Sequence, residues 1–133
     1  MGWFSFNSSI GLLINLSEVM NPKTISAKSL DLWLNDHSDK PFLIDVRELE
    51  ELRIAPFPSS ILHLALSERS LWVDTLSKQL PPGRSIVVIC HRGIRSWNFG
   101  IWLLQHSFSD DVWNLEGGID AWSIEVDSQV PRY

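Results

Sequence analysis

Residues 90–96 read Cys90-His91-Arg92-Gly93-Ile94-Arg95-Ser96, and they contain the only cysteine of the 133-residue chain. Thiolate, not thiol, is the nucleophilic form of cysteine, and it is favoured where backbone N–H groups and positive charge converge. His91, Arg92 and Arg95 add donors and charge within a few residues of the sulfur. Gly93 permits the positive φ that a cradle of successive amides commonly requires. Ser96 can cap the helix that follows or offer its hydroxyl to the Cys90 sulfur, and the two uses are geometrically compatible. On composition alone a lone cysteine reads as a small buried hydrophobe, so its place in the fold decides between the two readings.

That place is set by the segments on either side. Ile86-Val87-Val88-Ile89 is a continuous β-branched run, apolar on both faces and too short for a typical helix, as a central parallel strand should be. A helix is expected over residues 96–106, with Trp97, Ile101 and Leu104 in register. The turn between them therefore lies beyond the carboxyl end of the middle strand, where open α/β sheets bind ligands. The positive end of the following helix adds to the stabilisation of an anion there.

The rest of the chain supplies the remaining layers. Thr24-Ile25 reads as a short strand, and Ser26 caps a helix carrying Leu30, Trp33 and Leu34. Residues 42–46 form a buried strand, followed by a charged segment over residues 47–53 and a loop marked by Pro56 and Pro58. Residues 61–66 read as a further strand, and Ser67 opens a helix with Trp72, Leu76 and Leu80 on one face, stopped by Pro81-Pro82-Gly83. Residues 112–115 make the last strand, and Gly117-Gly118 turns into a closing helix bearing Ile119, Ala121 and Trp122. Strands alternating with helices predict an α/β fold with a parallel sheet.

Composition limits the function classes. Eleven Lys and Arg against sixteen Asp and Glu, with no basic run, argue against nucleic acid as a partner. One cysteine excludes an internal disulfide and makes a thiolate-rich zinc site improbable, which fits a reducing, cytoplasmic setting and a chain with no metal. Most of the seven tryptophans lie in apolar segments and read as packing residues, and His37, His63 and His106, which have no motif context, read as surface or packing residues. Residues 1–19 are set apart by an uncharged apolar run too short to span a bilayer and without the flanks of a secretory signal. They are read as an extension, with translation starting at Met20 as the plainer account and a peripheral membrane or partner contact as the sharper one. Residues 20–133 are expected to form one domain.

Cys90 to Arg95 fits C-x-x-G-x-R, Asp45-Val46-Arg47-Glu48 lies upstream, and Leu115-Glu116-Gly117-Gly118-Ile119-Asp120-Ala121-Trp122 lies downstream. These three ordered motifs resemble the active loop, the D-V-R-E segment and the closing L-x-G-G-x-x-A-W of rhodanese-like domains. The Val130-Pro131-Arg132-Tyr133 ending is similar to that of short, single-domain bacterial members. The resemblance implies a three-layer sandwich, a mainly parallel sheet of about five strands with helices on both faces. It also implies a sulfurtransferase that needs no cofactor. In that reaction Cys90 takes a sulfane sulfur from a small donor such as thiosulfate, or from a persulfide that can itself be on a protein. It holds the sulfur as a persulfide and yields it to a thiol or other thiophilic acceptor. Arg92 and Arg95 are then the candidates for holding an anionic donor or departing sulfite, and Arg95 is the one that matches the motif. Asp45 and Arg47 read as structural, pairing to fix loops near the strand end. Many members of the family carry Arg directly after the cysteine, where this chain has His91, and the usual G-H-I-x-G-A segment before the third strand is replaced by residues 55–61.

Two rival readings remain. Cysteine-dependent phosphatases and some arsenate reductases also close a cysteine cradle with arginine, but their usual C-x5-R loop is one residue longer than Cys90 to Arg95. A rhodanese-fold module that only binds a partner is the other, since fold does not fix function.

Overall fold

The computed structural model describes residues 20–36 and 38–133, so the readings of residues 1–19 and of His37 lie outside the described residues. The elements are β1 (Lys23–Ile25), α1 (Ala27–Leu34), β2 (Phe42–Asp45), α2 (Leu49–Ile54), β3 (Leu62–His63), α3 (Arg69–Trp72), α4 (Leu76–Gln79), β4 (Ile86–Ile89), α5 (Ile94–Gln105), β5 (Val112–Leu115) and α6 (Gly118–Glu125). The strands form one five-stranded sheet in the order β1-β5-β4-β2-β3, and every pairing in it is parallel. β4 is the middle strand, as its unbroken apolar sequence predicts: all four of its residues are buried.

Strand alternation sends side chains to opposite faces of the sheet, and the two faces are covered separately. Ile86, Val88 and Cys90 pack with Trp72, Leu76, Phe99 and Leu103, on the side of α3, α4 and α5. Val87 and Ile89 pack with Leu30, Leu115, Ile119 and Trp122, on the side of α1 and α6. This is the three-layer α/β sandwich expected from the sequence. Ser26 caps α1 through Ser29 N–H, as its position before the apolar run predicts.

Four elements differ from the sequence reading. α2 falls in the segment read only as charged; it buries none of its residues, so it has no apolar period to reveal it. It is held instead by a capping box between Glu48 and Glu51. β3 is two residues long rather than six, an edge strand paired to β2 alone. The helix expected from Ser67 is broken by 3₁₀ turns at Leu66–Glu68 and Val73–Thr75, although Trp72, Leu76 and Leu80 are buried as predicted. α5 starts two residues early, so Ile94 and Arg95 belong to its first turn, and its buried face is Ser96, Phe99, Gly100, Leu103 and Leu104. Trp97 and Ile101 are only half-buried.

Candidate active site

The site begins where β4 ends. Cys90 keeps the parity of Ile86 and Val88 and so points to the α5 side of the sheet. The chain then turns through His91 and Arg92 to Gly93, which caps α5 with φ at 99°. A Cβ at Gly93 would sit 3.2 Å from Gly117 N and 3.3 Å from Leu115 O. Backbone conformation and close approach therefore both require glycine.

This turn brings Gly93 N–H to Cys90 Sγ at 3.0 Å and sets Ser96 Oγ 3.1 Å from the same sulfur. Asn114, on the neighbouring β5, orders the protons. Its Nδ2 donates to Gly93 O at 3.0 Å, which turns Oδ1 toward Ser96, whose hydroxyl donates to it at 2.5 Å. With that proton committed, Ser96 Oγ faces Sγ as an acceptor for the thiol proton. When the thiol ionises, rotation of the hydroxyl redirects its proton to the sulfur. Ser96 thus faces the sulfur, while the cap position is taken by Gly93.

The closing helix holds the loop from behind. Ile119 N–H donates to Cys90 O at 2.9 Å and Asp120 N–H to His91 O at 3.1 Å. These are orphan amides of the first turn of α6, satisfied by the carbonyls of the loop. A Cβ at Gly118 would collide with both carbonyls, which accounts for the second glycine of the pair.

The two arginines are placed differently. Arg92 is exposed and forms no ion pair among the described residues. Arg95 is bound in a fork to Glu51, with Nη1–Oε1 at 2.7 Å and Nη2–Oε2 at 2.9 Å, tying α5 to α2. Glu51 also accepts from Tyr133 Oη at 2.7 Å and from Glu48 N–H at 3.1 Å. Beneath them Asp45 and Arg47 form the pair expected of them, with both side chains wholly buried. His63 donates Nε2–H to Arg47 O at 2.6 Å. His91 is half-buried and lies flat against Tyr133, with ring centroids 4.0 Å apart and planes 9° apart. Ile94 projects into solvent at 73% exposure.

Cys90 is recessed: it is 1% exposed and lies among Trp72 and Phe99. Arg95 and Phe99 of α5 share a cavity of about 270 Å³ with Leu66, Arg69, Trp72 and Trp102, and Cys90 is not among the residues that line it. Among the described residues no helix is long and apolar enough to cross a membrane, and no three His, Cys, Asp or Glu side chains converge as metal ligands would.

Sequence reasoning missed Glu51, Asn114 and Tyr133. Asn114 left a signal, a lone amide inside an apolar strand that must find partners when buried. Glu51 left a weaker one, the Glu48-x-x-Glu51 spacing of a capping box. Tyr133 left none, because its partners lie at residues 47, 51 and 91.

The Glu51 cluster has a pH signature. Hydrogen bonds from Arg95 hold the Glu51 carboxyl down at about 2 against an ordinary 4.5; burial opposes the shift, and Tyr133 and Glu48 add to it. A carboxyl depressed in the folded state stabilises fully above its unfolded pKa and loses that stabilisation as pH falls through the folded value. Glu51→Gln is therefore expected to lower stability at neutral pH, with the gap to wild type closing as pH falls from 4.5 toward 2. Urea melts across that range check it; a gap that stays constant contradicts the assignment.

Comparison with known proteins bears on the family and the fold. The rhodanese-like domain family matches residues 26–125. The chain is 35% identical over 124 residues to the rhodanese-like/PpiC domain-containing protein 12, chloroplastic, of Arabidopsis thaliana, with 92% of this chain and 41% of that protein covered. It is 29% identical over 102 residues to a sulfurtransferase of Allochromatium vinosum, with 74% of this chain and 86% of that one covered. The fold matches the single-domain sulfurtransferase RDL2 of Saccharomyces cerevisiae with a TM-score of 0.61 at 18% identity, covering 82% of this chain and 94% of that one. The chain spans 41% of the length of the Arabidopsis protein and between 21% and 25% of six further curated relatives that it matches. On its sequence and its sheet alike, the chain belongs to the rhodanese-like domain family.

Proposed function

We propose that residues 20–133 act as a single sulfurtransferase domain in which Cys90 carries a sulfane sulfur as a persulfide. The observation that carries this reading is the surround of one sulfur: Gly93 N–H donates to it at 3.0 Å, and the Ser96 hydroxyl lies 3.1 Å away. The amide is preorganised to favour negative charge on sulfur, and rotation of one hydroxyl adds a second donor.

In the first half-reaction the Cys90 thiolate attacks the outer sulfur of thiosulfate. The new S–S bond forms as the old one breaks, and sulfite leaves with the bonding pair. In the second, a thiophilic acceptor such as a thiolate or cyanide attacks the outer sulfur of the persulfide and restores the Cys90 thiolate. No net oxidant or reductant is needed. Arg92, exposed and free of ion pairs among the described residues, is the guanidinium suited to guide an anionic donor, whereas Arg95 is already engaged by Glu51. The recessed position of Cys90 suits a donor whose outer sulfur protrudes, as it does in thiosulfate or a persulfide. A lone thiol that must stay reduced suits a compartment such as the cytoplasm.

Intact-mass spectrometry tests the reading. Wild-type protein treated with thiosulfate is expected to gain one sulfur atom and to lose it, as thiocyanate, on adding cyanide. No gain from thiosulfate or from glutathione persulfide, together with Cys90-dependent turnover of an aryl phosphate, would replace it with the phosphatase reading.

A further inference from the structure

We infer that Tyr133 is a positioning residue for the Cys90 loop, acting through the flat contact of its ring with His91. The inference rests on the sulfur-transfer reading for the step whose rate it governs. The His91 imidazole makes no side-chain hydrogen bond among the described residues, and its Nε2 is enclosed without a partner. Its backbone is fixed by Asp120 N–H on the carbonyl, but that bond leaves the ring free to turn. The stack on Tyr133, at 4.0 Å and 9°, is the contact that fixes the ring of the residue directly after the nucleophile.

Tyr133 is itself held firmly enough to do this. Its hydroxyl donates to Glu51 Oε2 at 2.7 Å and accepts from Arg47 Nη1 at 3.2 Å. Burial, the first cause, pushes that hydroxyl up to about 12, so it stays protonated and keeps both bonds at physiological pH. The preceding residues are anchored separately: Val130 is buried and accepts from Ser123 Oγ at 2.6 Å, and Arg132 pairs with Asp120 at 2.9 Å. Through Glu51, the same tyrosine also reaches Arg95, at the other end of the loop. One side chain therefore contacts residue 91 directly and residue 95 through a single carboxylate, bracketing the turn that presents Gly93 N–H to the sulfur.

Three variants separate positioning from simple stability. Tyr133→Phe keeps the ring and loses the hydroxyl, Tyr133→Leu loses both, and Arg132→Ala removes the neighbouring exposed ion pair while keeping the ring and its hydroxyl bonds. The readouts are the rate of sulfur loading from thiosulfate and the NMR shifts of the His91 ring protons, which a stacked aromatic ring displaces upfield. Losing an aromatic contact of this size is worth roughly three- to tenfold in the population of the ordered loop. Tyr133→Leu is expected to load sulfur more slowly by about that factor and to lose the upfield shift. Tyr133→Phe keeps the ring on a weakened anchor, so its shift and its rate should both fall between those of wild type and Tyr133→Leu. Arg132→Ala should stay within about twofold of wild type even where its melting temperature falls, since its ion pair is exposed. Unchanged rate and shift in Tyr133→Leu overturn the inference, and so does a rate that follows melting temperature across all three. If wild type loads no sulfur at all, the His91 shifts still test the positioning, so failure of the transfer reading is recognised separately.

Discussion

Cys90→Ser is expected to take up no sulfur from thiosulfate and to lose a thousandfold or more of transfer activity, on the order expected for removal of a covalent nucleophile. The size of the effect follows from chemistry rather than from packing. A serine hydroxyl remains protonated at neutral pH and is a poor nucleophile toward sulfane sulfur, yet it can accept from Gly93 N–H as the thiol does. The substitution should therefore leave the turn and the fold in place, and stability within about 1 kcal/mol of wild type would show that it has. Because the chain contains one cysteine, sulfur gained by the wild type and absent from the variant is assigned to residue 90 without peptide mapping. The 1% exposure of Cys90 gives the experiment a second edge. A thiol that is alkylated only in urea, in a protein that never loads sulfur, would point instead to a module whose surface binds a partner.

The alternating elements were legible because each strand and its following helix carry local signals. Ile86 to Ile89 could be nothing but a buried strand, and Ser26 marks the start of α1 at one position. The loop was legible for the same reason, since Cys90, Gly93 and Ser96 lie within seven consecutive residues and their geometry is set by one turn. What escaped was stabilised across the sequence rather than along it. α2 buries none of its residues and depends on Glu48 and Glu51, while β3 is short because it has a partner on one side only. The break of the 66–79 segment into single turns has a visible tertiary contact, Trp72 Nε1–H donating to Ala65 O at 2.9 Å, which no periodicity of apolar residues encodes. Arg95 is the sharpest case. Its type and spacing suggested an anion ligand, and nothing near it in the chain announces its ion pair with Glu51, forty-four residues earlier.

Arg47→Met should be the costliest single change to stability, at about 3–5 kcal/mol, the usual penalty for stranding one member of a buried ion pair. Asp45 and Arg47 are both fully buried, with Nη2–Oδ2 at 2.8 Å and Nε–Oδ1 at 3.0 Å. Burial works against the charge on Arg47, but the Asp45 carboxylate outweighs it, so the guanidinium holds its proton more tightly than a free arginine. Methionine matches much of the length of the side chain but none of its donors. The Asp45 carboxylate would keep only Arg47 N–H, at 3.1 Å, and Tyr133 would lose one of its two hydroxyl partners. Against a total stability of about 5–15 kcal/mol the change removes a large share of the margin. Urea melts with an unchanged m-value measure it directly. The double variant Asp45→Asn/Arg47→Met distinguishes pairing from lost packing. It removes the stranded charge, so it should be more stable than the sum of the two single losses predicts. Additive losses would mean that the two side chains act as independent fillers, and that the strand end feeding the active loop is held by something other than their charge.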